Sequence, residues 1–251
     1  MEFGSISAEL VVVALAAVAL GALIKGVTGL GLPLVAVPTI ATFASVEEAV
    51  VLVIIPTFGS NLWLVGTHRQ FAGLLSGHVP FLAAGLAGSI IGTFLLTAID
   101  DRWLKLALAV WLAVYLAQFV VGNVLRSLFQ AKGAAAAAVG FTAGTIHGAT
   151  GISSHIVAPY FHGRSLAPDA YAFLVACAFL TFSAAQLVTA ASTQLFTADR
   201  LLIGLVALLP TLVFTQAGIR LARIVSDSAF QKILIAVFVL MEIKLITDVF
   251  S

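Results

Sequence analysis

The sequence predicts an all-α polytopic membrane protein made of two inverted repeats of about five helical segments each, with a broken or re-entrant short helix in each repeat. Three observations predict it. Of 251 residues, 61% are hydrophobic and 9% charged, with a mean hydropathy of +1.16, where soluble domains carry about 25% charged residues. The apolar residues gather into ten windows bounded by charges or by Gly and Pro. Those windows form two sets of five with one order of lengths: long, short, long, long, long. Lys and Arg number 12 against 11 Asp and Glu, which leaves no basic surface for nucleic acid. Cys177 is alone, so neither an intramolecular disulfide nor a cysteine metal cluster can form.

A bilayer core about 30 Å thick takes roughly 20 apolar residues per helix. Residues 1–7 form an N-terminal tail whose first five, MEFGS, read as a cloning scar. The window 8–25 has no preceding Lys or Arg and is expected as a mature helix, not a cleaved signal peptide. The window 31–44 is too short to span, whereas 46–66, 76–97 and 103–121 are long enough. Together they make a first transmembrane repeat over 8–121. A cytoplasmic linker is expected at 122–132, and a second repeat at 133–251 with windows at 133–147, 152–162, 168–191, 200–221 and 230–248, the 152–162 window again being short.

Residue by residue, Ile24-Lys25-Gly26-Val27-Thr28-Gly29-Leu30 lies over Ile146-His147-Gly148-Ala149-Thr150-Gly151-Ile152 at an offset of 122. Thr57-Phe58 then lies over Thr181-Phe182, Asn61 falls one position from the equivalent of Gln186, and Gly92, Leu95 and Asp101 lie over Gly218, Leu221 and Asp227. An ordered series of this kind is the mark of an internal repeat. Inversion puts Arg69, Arg126, Lys132, Arg164, Arg220, Arg223 and Lys232 on one face against Arg102, Lys105 and Arg200 on the other. That seven-to-three split exceeds the six-to-four split of parallel repeats and places both termini outside under the positive-inside rule.

The two equivalent motifs sit where a long apolar window meets a short one. In Lys25-Gly26-Val27-Thr28-Gly29-Leu30-Gly31-Leu32-Pro33, the glycines permit backbone angles other residues avoid and Pro33 suits the first turn of a new helix. A helix break is therefore expected, with hinge or break positions at Gly29, Gly31, Pro33, Pro38, Gly151 and Pro159. Broken backbone inside a bilayer must face protein or a polar cavity, and a helix starting there aims free N–H groups and a positive dipole end into it. The second motif, His147 to His155, repeats the break with Ser153, Ser154 and His155 where the first has Gly31, Leu32 and Pro33. Bringing the halves together makes an oxyanion cradle from Lys25, Gly26, Thr28, Gly29, Gly31, His147, Gly148, Thr150, Gly151, Ser153, Ser154 and His155, with Asn61 and Gln186 as neutral donors. Lys25 supplies fixed charge, and an unperturbed histidine switches near pH 6.5. Plainer roles remain open: close helix packing for the glycines, snorkelling for Lys25, a backbone partner for His155, and interhelical bonding for Asn61 and Gln186.

At these two glycine motifs the sequence resembles the TauE/SafE sulfite exporter family of bacterial permeases, over essentially the whole chain. The resemblance rests on the length, the two halves, the G-x-T-G-x-G-x-P break followed by Pro38, and Gly148-Ala149-Thr150-Gly151 followed by Pro159. Ser153-Ser154-His155 departs from the small residues usual in the second motif. The resemblance implies a transporter, not an enzyme, which exports sulfite or a sulfonate such as sulfoacetate across the bacterial inner membrane. Its expected partners are that anion, the lipid bilayer and, among the assemblies it allows, a second copy in a homodimer. No metal, cofactor or nucleic acid is expected, and no Walker A motif is present. The alternatives are a proton-coupled permease for another small organic anion, a channel-like uniporter, and an intramembrane serine hydrolase using Ser153 or Ser154 with His147 or His155.

Overall fold

The computed structural model describes residues 6–121, 131–162, 164, 166–222 and 224, with 235, 239, 241–244, 246 and 247 of the last segment. The first five residues, most of the linker expected at 122–132 and most of the window at 230–248 lie outside the described residues. Among the described residues the chain is helical throughout: α1 Ala8–Thr28, α2 Leu32–Ala41, α3 Val46–Thr67, a 3₁₀ segment Arg69–His78, α4 Val79–Ala98, α5 Asp101–Val121, α6 Gly133–Thr150, α7 Ser154–His162, α8 Pro168–Ser192, α9 Ala198–Val206 and α10 Leu208–Leu221.

Local chemistry sets these boundaries. The Ser7 hydroxyl accepts from the Leu10 N–H at 3.2 Å, and the Ser45 hydroxyl from the Glu48 N–H at 3.1 Å, each satisfying a donor that helix geometry leaves free. Thr197 caps α9 in the same way through Arg200. The window at 200–221 becomes two helices, α9 and α10, with a turn at Ala207. Pro210 lacks an N–H for the Val206 carbonyl and its ring crowds that turn, which favours the interruption there.

Five segments among the described residues are long and apolar enough to cross a membrane: Ala8–Thr28, Val46–Thr67, Arg69–Ala98, Pro168–Ser192 and Ala198–Leu221. Large apolar side chains such as Val12, Phe94, Val188 and Leu209 are exposed on their outer faces, as a lipid-facing surface requires.

The central pair is α3 with α8, and they run in opposite directions. At one end His68, just past α3, lies 4.0 Å from Asp169 in the first turn of α8. At the other, Glu47 at the start of α3 meets Arg200, just beyond α8, at 3.1 Å. Charges sort between the same two ends. Arg200 also reaches Glu48 at 3.6 Å, and Asp101 holds Lys105 at 3.1 Å while accepting the Val46 N–H at 2.6 Å. At the opposite end Arg164 donates to the Ala131 carbonyl at 2.9 Å and lies over the Tyr160 ring.

Around this pair two seams are closed by glycine. A Cβ on Gly148 in α6 would overlap the Ser89 carbonyl oxygen and lie 2.7 Å from the Thr93 nitrogen of α4. A Cβ on Gly26 in α1 would overlap the Thr215 carbonyl oxygen and lie 2.8 Å from the Ile219 nitrogen of α10. The reciprocal contacts agree, since Gly92 abuts the Thr145 carbonyl and Gly218 the Leu23 carbonyl. Every one of these residues corresponds to its counterpart at the offsets 122 or 126 read from the sequence. Small side chains thus let backbones touch, the means by which helices associate without a hydrophobic gradient.

Two apolar clusters flank the seams. One centres on Leu32, Val35, Ile40, Leu52 and Leu108. The other holds Phe81, Tyr160, Phe161, Phe173 and Phe182, with Phe81 stacked on Tyr160 at 4.1 Å. Cys177 is a buried free thiol packed in that second cluster.

Candidate functional site

Both expected breaks are present and are built alike. α1 ends at Gly29, φ 74°, whose N–H donates to the Lys25 carbonyl at 2.7 Å; α6 ends at Gly151, φ 72°, whose N–H donates to the His147 carbonyl at 2.7 Å. Only glycine takes this left-handed angle without cost. Thr28 donates to the Ile24 carbonyl at 2.9 Å and accepts the Leu30 N–H at 3.1 Å, while Thr150 donates to the Ile146 carbonyl at 2.7 Å and accepts the Ile152 N–H at 3.2 Å. The two threonines thus brace the breaks, and their hydroxyls are turned to backbone groups instead of toward a common point. In backbone conformation the breaks part at Gly31, φ 119°, whose counterpart Ser153 is not left-handed.

The second break packs on the first short helix. A Cβ at Gly151 would lie 3.4 Å from Val37 Cγ2 and 3.6 Å from Pro33 Cβ. Trp111 of α5 donates its indole N–H to the Ile152 carbonyl at 3.0 Å, satisfying an acceptor that the break releases.

Between the breaks lies a small, partly enclosed cavity. Gly29, Gly31 and Pro33 line it from the first break, Gly151, Ser153 and Ser154 from the second, Thr57 and Asn61 from α3, and Phe179 from α8. Thr57 is about halfway along α3 and follows Pro56, which removes one intrahelical hydrogen bond there. The N-termini of α2 and α7 both open on this space, so their free N–H groups favour negative charge in it.

Lys25 supplies the cation. Its side chain is 3% exposed, and its ammonium donates to Ser60 Oγ at 2.8 Å and Asn61 Oδ1 at 2.6 Å. Ser60 and Asn61 in turn donate to the Thr57 carbonyl at 3.1 and 2.8 Å. These partners are neutral and orient the charge without cancelling it. No Asp or Glu occurs among the buried described side chains. A buried cation without a counter-ion is costly, and an anion entering the cavity removes that cost.

The second half offers a different set. His147 is 1% exposed, lies between Phe179 and Phe182, and shares a 3.3 Å hydrogen bond with Ser153 through Nδ1. Its Nε2 is buried without a partner. Gln186 reaches α6, donating to the His147 and Gly148 carbonyls at 3.2 and 3.0 Å, and so acts as interhelical bonding in the structure. His155 packs 5.1 Å from the Trp111 ring and lies outside the cavity lining. Gly26 and Gly148 sit in the seams. Pro38 and Pro159 lie inside α2 and α7, one helical turn beyond the Leu34 and His155 carbonyls, which they leave without an intrahelical donor. The pairing of Ser153 with His147 lacks the acidic group that would orient the other imidazole nitrogen for hydrolysis.

Sequence reasoning did not single out Ser60, Trp111 or Phe179, nor assign Thr57 to the site. Ser60 adjoins Asn61 on the inner face of α3, a signal that was available; nothing in the sequence connects Trp111 to Ile152.

No curated protein and no solved structure matches the chain. The family model described as sulfite exporter TauE/SafE matches residues 13–245. With a broken-helix cavity inside a bundle of membrane-length helices and a match over nearly its whole length, the chain belongs to the TauE/SafE sulfite exporter family, a family of membrane transporters.

Proposed function

We propose that the protein exports a small sulfur-containing oxyanion, sulfite or a sulfonate such as sulfoacetate, across the bacterial inner membrane by alternating access. The observation that carries this reading is the cavity where the Lys25 ammonium and the N-termini of α2 and α7 converge. The binding set is Lys25, Gly29, Gly31, Asn61, Gly151, Ser153 and Ser154, with Gly26, Thr28, His147, Gly148, Thr150, His155 and Gln186 shaping the two breaks around it. No cofactor enters the cycle.

The moving parts are two inverted repeats, 8–121 and 133–251, joined by a cytoplasmic linker with both termini periplasmic. The opposed directions of α3 and α8 and the paired glycine seams support that arrangement. Rocking of one repeat against the other, with Gly29, Gly31, Pro33, Pro38, Gly151 and Pro159 absorbing the change, then opens the site to either side. Each negative charge leaving a cell at 100 mV, negative inside, gains about 2.3 kcal/mol, so a uniporter suffices.

Sulfite flux in proteoliposomes under an imposed potential tests the reading. Efflux driven by an inside-negative potential and competed by sulfonates is expected, and folded protein with no flux of either anion refutes it. A proton-coupled permease for another organic anion is the second reading, favoured by the buried, unpartnered His147 Nε2. It requires a pH-dependent flux whose dependence disappears in His147→Gln.

A further inference from the structure

Two of the polar side chains lining the cavity are fully committed to protein partners. Both polar atoms of Asn61 are bonded, to Lys25 and to the Thr57 carbonyl, and Ser153 is bonded to His147. Two hydroxyls are different. Thr57 Oγ1 on α3 and Ser154 Oγ at the first residue of α7 are buried, at 3% and 6% residue exposure, and have no hydrogen-bond partner. Both residues line the same cavity as Lys25, and Lys25 uses two of its three N–H groups on Ser60 and Asn61. Buried polar groups left unpaired are expensive, and a native structure keeps them where a ligand or water completes them.

Three side-chain donors therefore remain, one each from α1, α3 and α7. A carboxylate offers two oxygens, while an XO₃ head offers three on one pyramidal centre. Resting on the anion-transport reading above, we infer that Thr57 and Ser154 are specificity-determining donors, which with the free N–H of Lys25 select a three-oxygen monoanionic head over a carboxylate of equal charge. A planar carboxylate accepts best from donors near its own plane, so donors arriving from three separate helices are met less well by it than by three oxygens set around a pyramidal centre. The two hydroxyls come from opposite sides of the proposed repeat boundary, so the selective set is complete only when both halves close on the anion.

Calorimetric binding of methanesulfonate and acetate to the purified full-length protein, alongside sulfite flux, tests this. Methanesulfonate is expected to bind at least about tenfold more tightly than acetate. Thr57→Val with Ser154→Ala should bring the ratio toward one, chiefly by weakening methanesulfonate, and Thr57→Ser should restore most of the preference. Equal binding of the two anions by the natural protein overturns the inference, as does binding of neither, or a double variant that weakens both alike. Preferred methanesulfonate binding without any sulfite flux leaves the selectivity standing and removes the transport reading; sulfite flux without the preference does the reverse.

Discussion

The Lys25 ammonium lies 2.6 Å from Asn61 Oδ1 and 2.8 Å from Ser60 Oγ, both neutral partners. The neutral fork of Ser60 and Asn61 fixes where the charge points. Asn61→Leu should therefore lower sulfite flux by about tenfold to a hundredfold, since a charge-bearing hydrogen bond of roughly 1.5–3 kcal/mol is lost. Lys25→Met should abolish flux while leaving the protein monodisperse on size-exclusion chromatography, because an apolar side chain there removes a buried charge.

Gly92→Ala and Gly148→Ala should each destabilise the fold strongly. The added methyl would strike the Thr145 or Ser89 carbonyl across the α4 and α6 seam, where backbone must move to admit it. A cost of at least about 1–3 kcal/mol is expected from overpacking, visible as a lower melting temperature in detergent. Gly66→Ala and Gly73→Ala are the controls, because nothing lies within 4 Å of the new methyl at either position; both should melt like the natural protein or slightly higher.

At Gly29 the conformation, not the space, is decisive. No atom lies within 4 Å of the place a methyl would occupy, yet φ is 74°. Gly29→Ala should cost about 1–2 kcal/mol through left-handed strain, and Gly29→Asn less, since asparagine tolerates that region. Thermal melts ranking Gly, Asn, Ala in falling order are the expected result; equal stabilities would remove strain as the reason for glycine.

Opposite faces should label from opposite sides. In a Cys177→Ser background, Asp169→Cys at one polar end and Asp199→Cys beside Arg200 at the other should react with a membrane-impermeant maleimide from different sides of the vesicle. Labelling of both from one side would contradict a crossing of the bilayer by α8.

The exposed partners of Arg200 should matter little to stability. Its contacts with Glu47 and Glu48 are partly solvent-exposed, so Arg200→Gln should lower stability by no more than about 1 kcal/mol, measured by the melt, with a smaller difference in high salt.

Much of this architecture is legible in the sequence because its signals are backbone requirements. Gly29 and Gly151 mark the breaks, since no other residue takes their angle freely, and every apolar window up to residue 221 holds helix. Lys25 and Asn61 are legible as well, as polar groups inside apolar windows. What escaped was orientation. Thr28 and Thr150 sit in the right motif, but hydroxyls on helices readily turn to the carbonyl four residues back, and both do so. Gln186 is long enough to reach a neighbouring helix and is taken up there. The Trp111 bond to Ile152 joins residues whose proximity only the tertiary fold creates.

The two glycine seams also bear on how the chain is made. α1 seats against α10, and their contact residues, Gly26 and Gly218, stand near opposite ends of the described chain. During synthesis α1 must wait in lipid without its mate until nearly everything else has emerged, whereas α6 finds α4 already waiting. Damage to the α1 and α10 seam should therefore surface as a biogenesis defect, with the nascent protein exposed to quality-control proteases before α10 arrives.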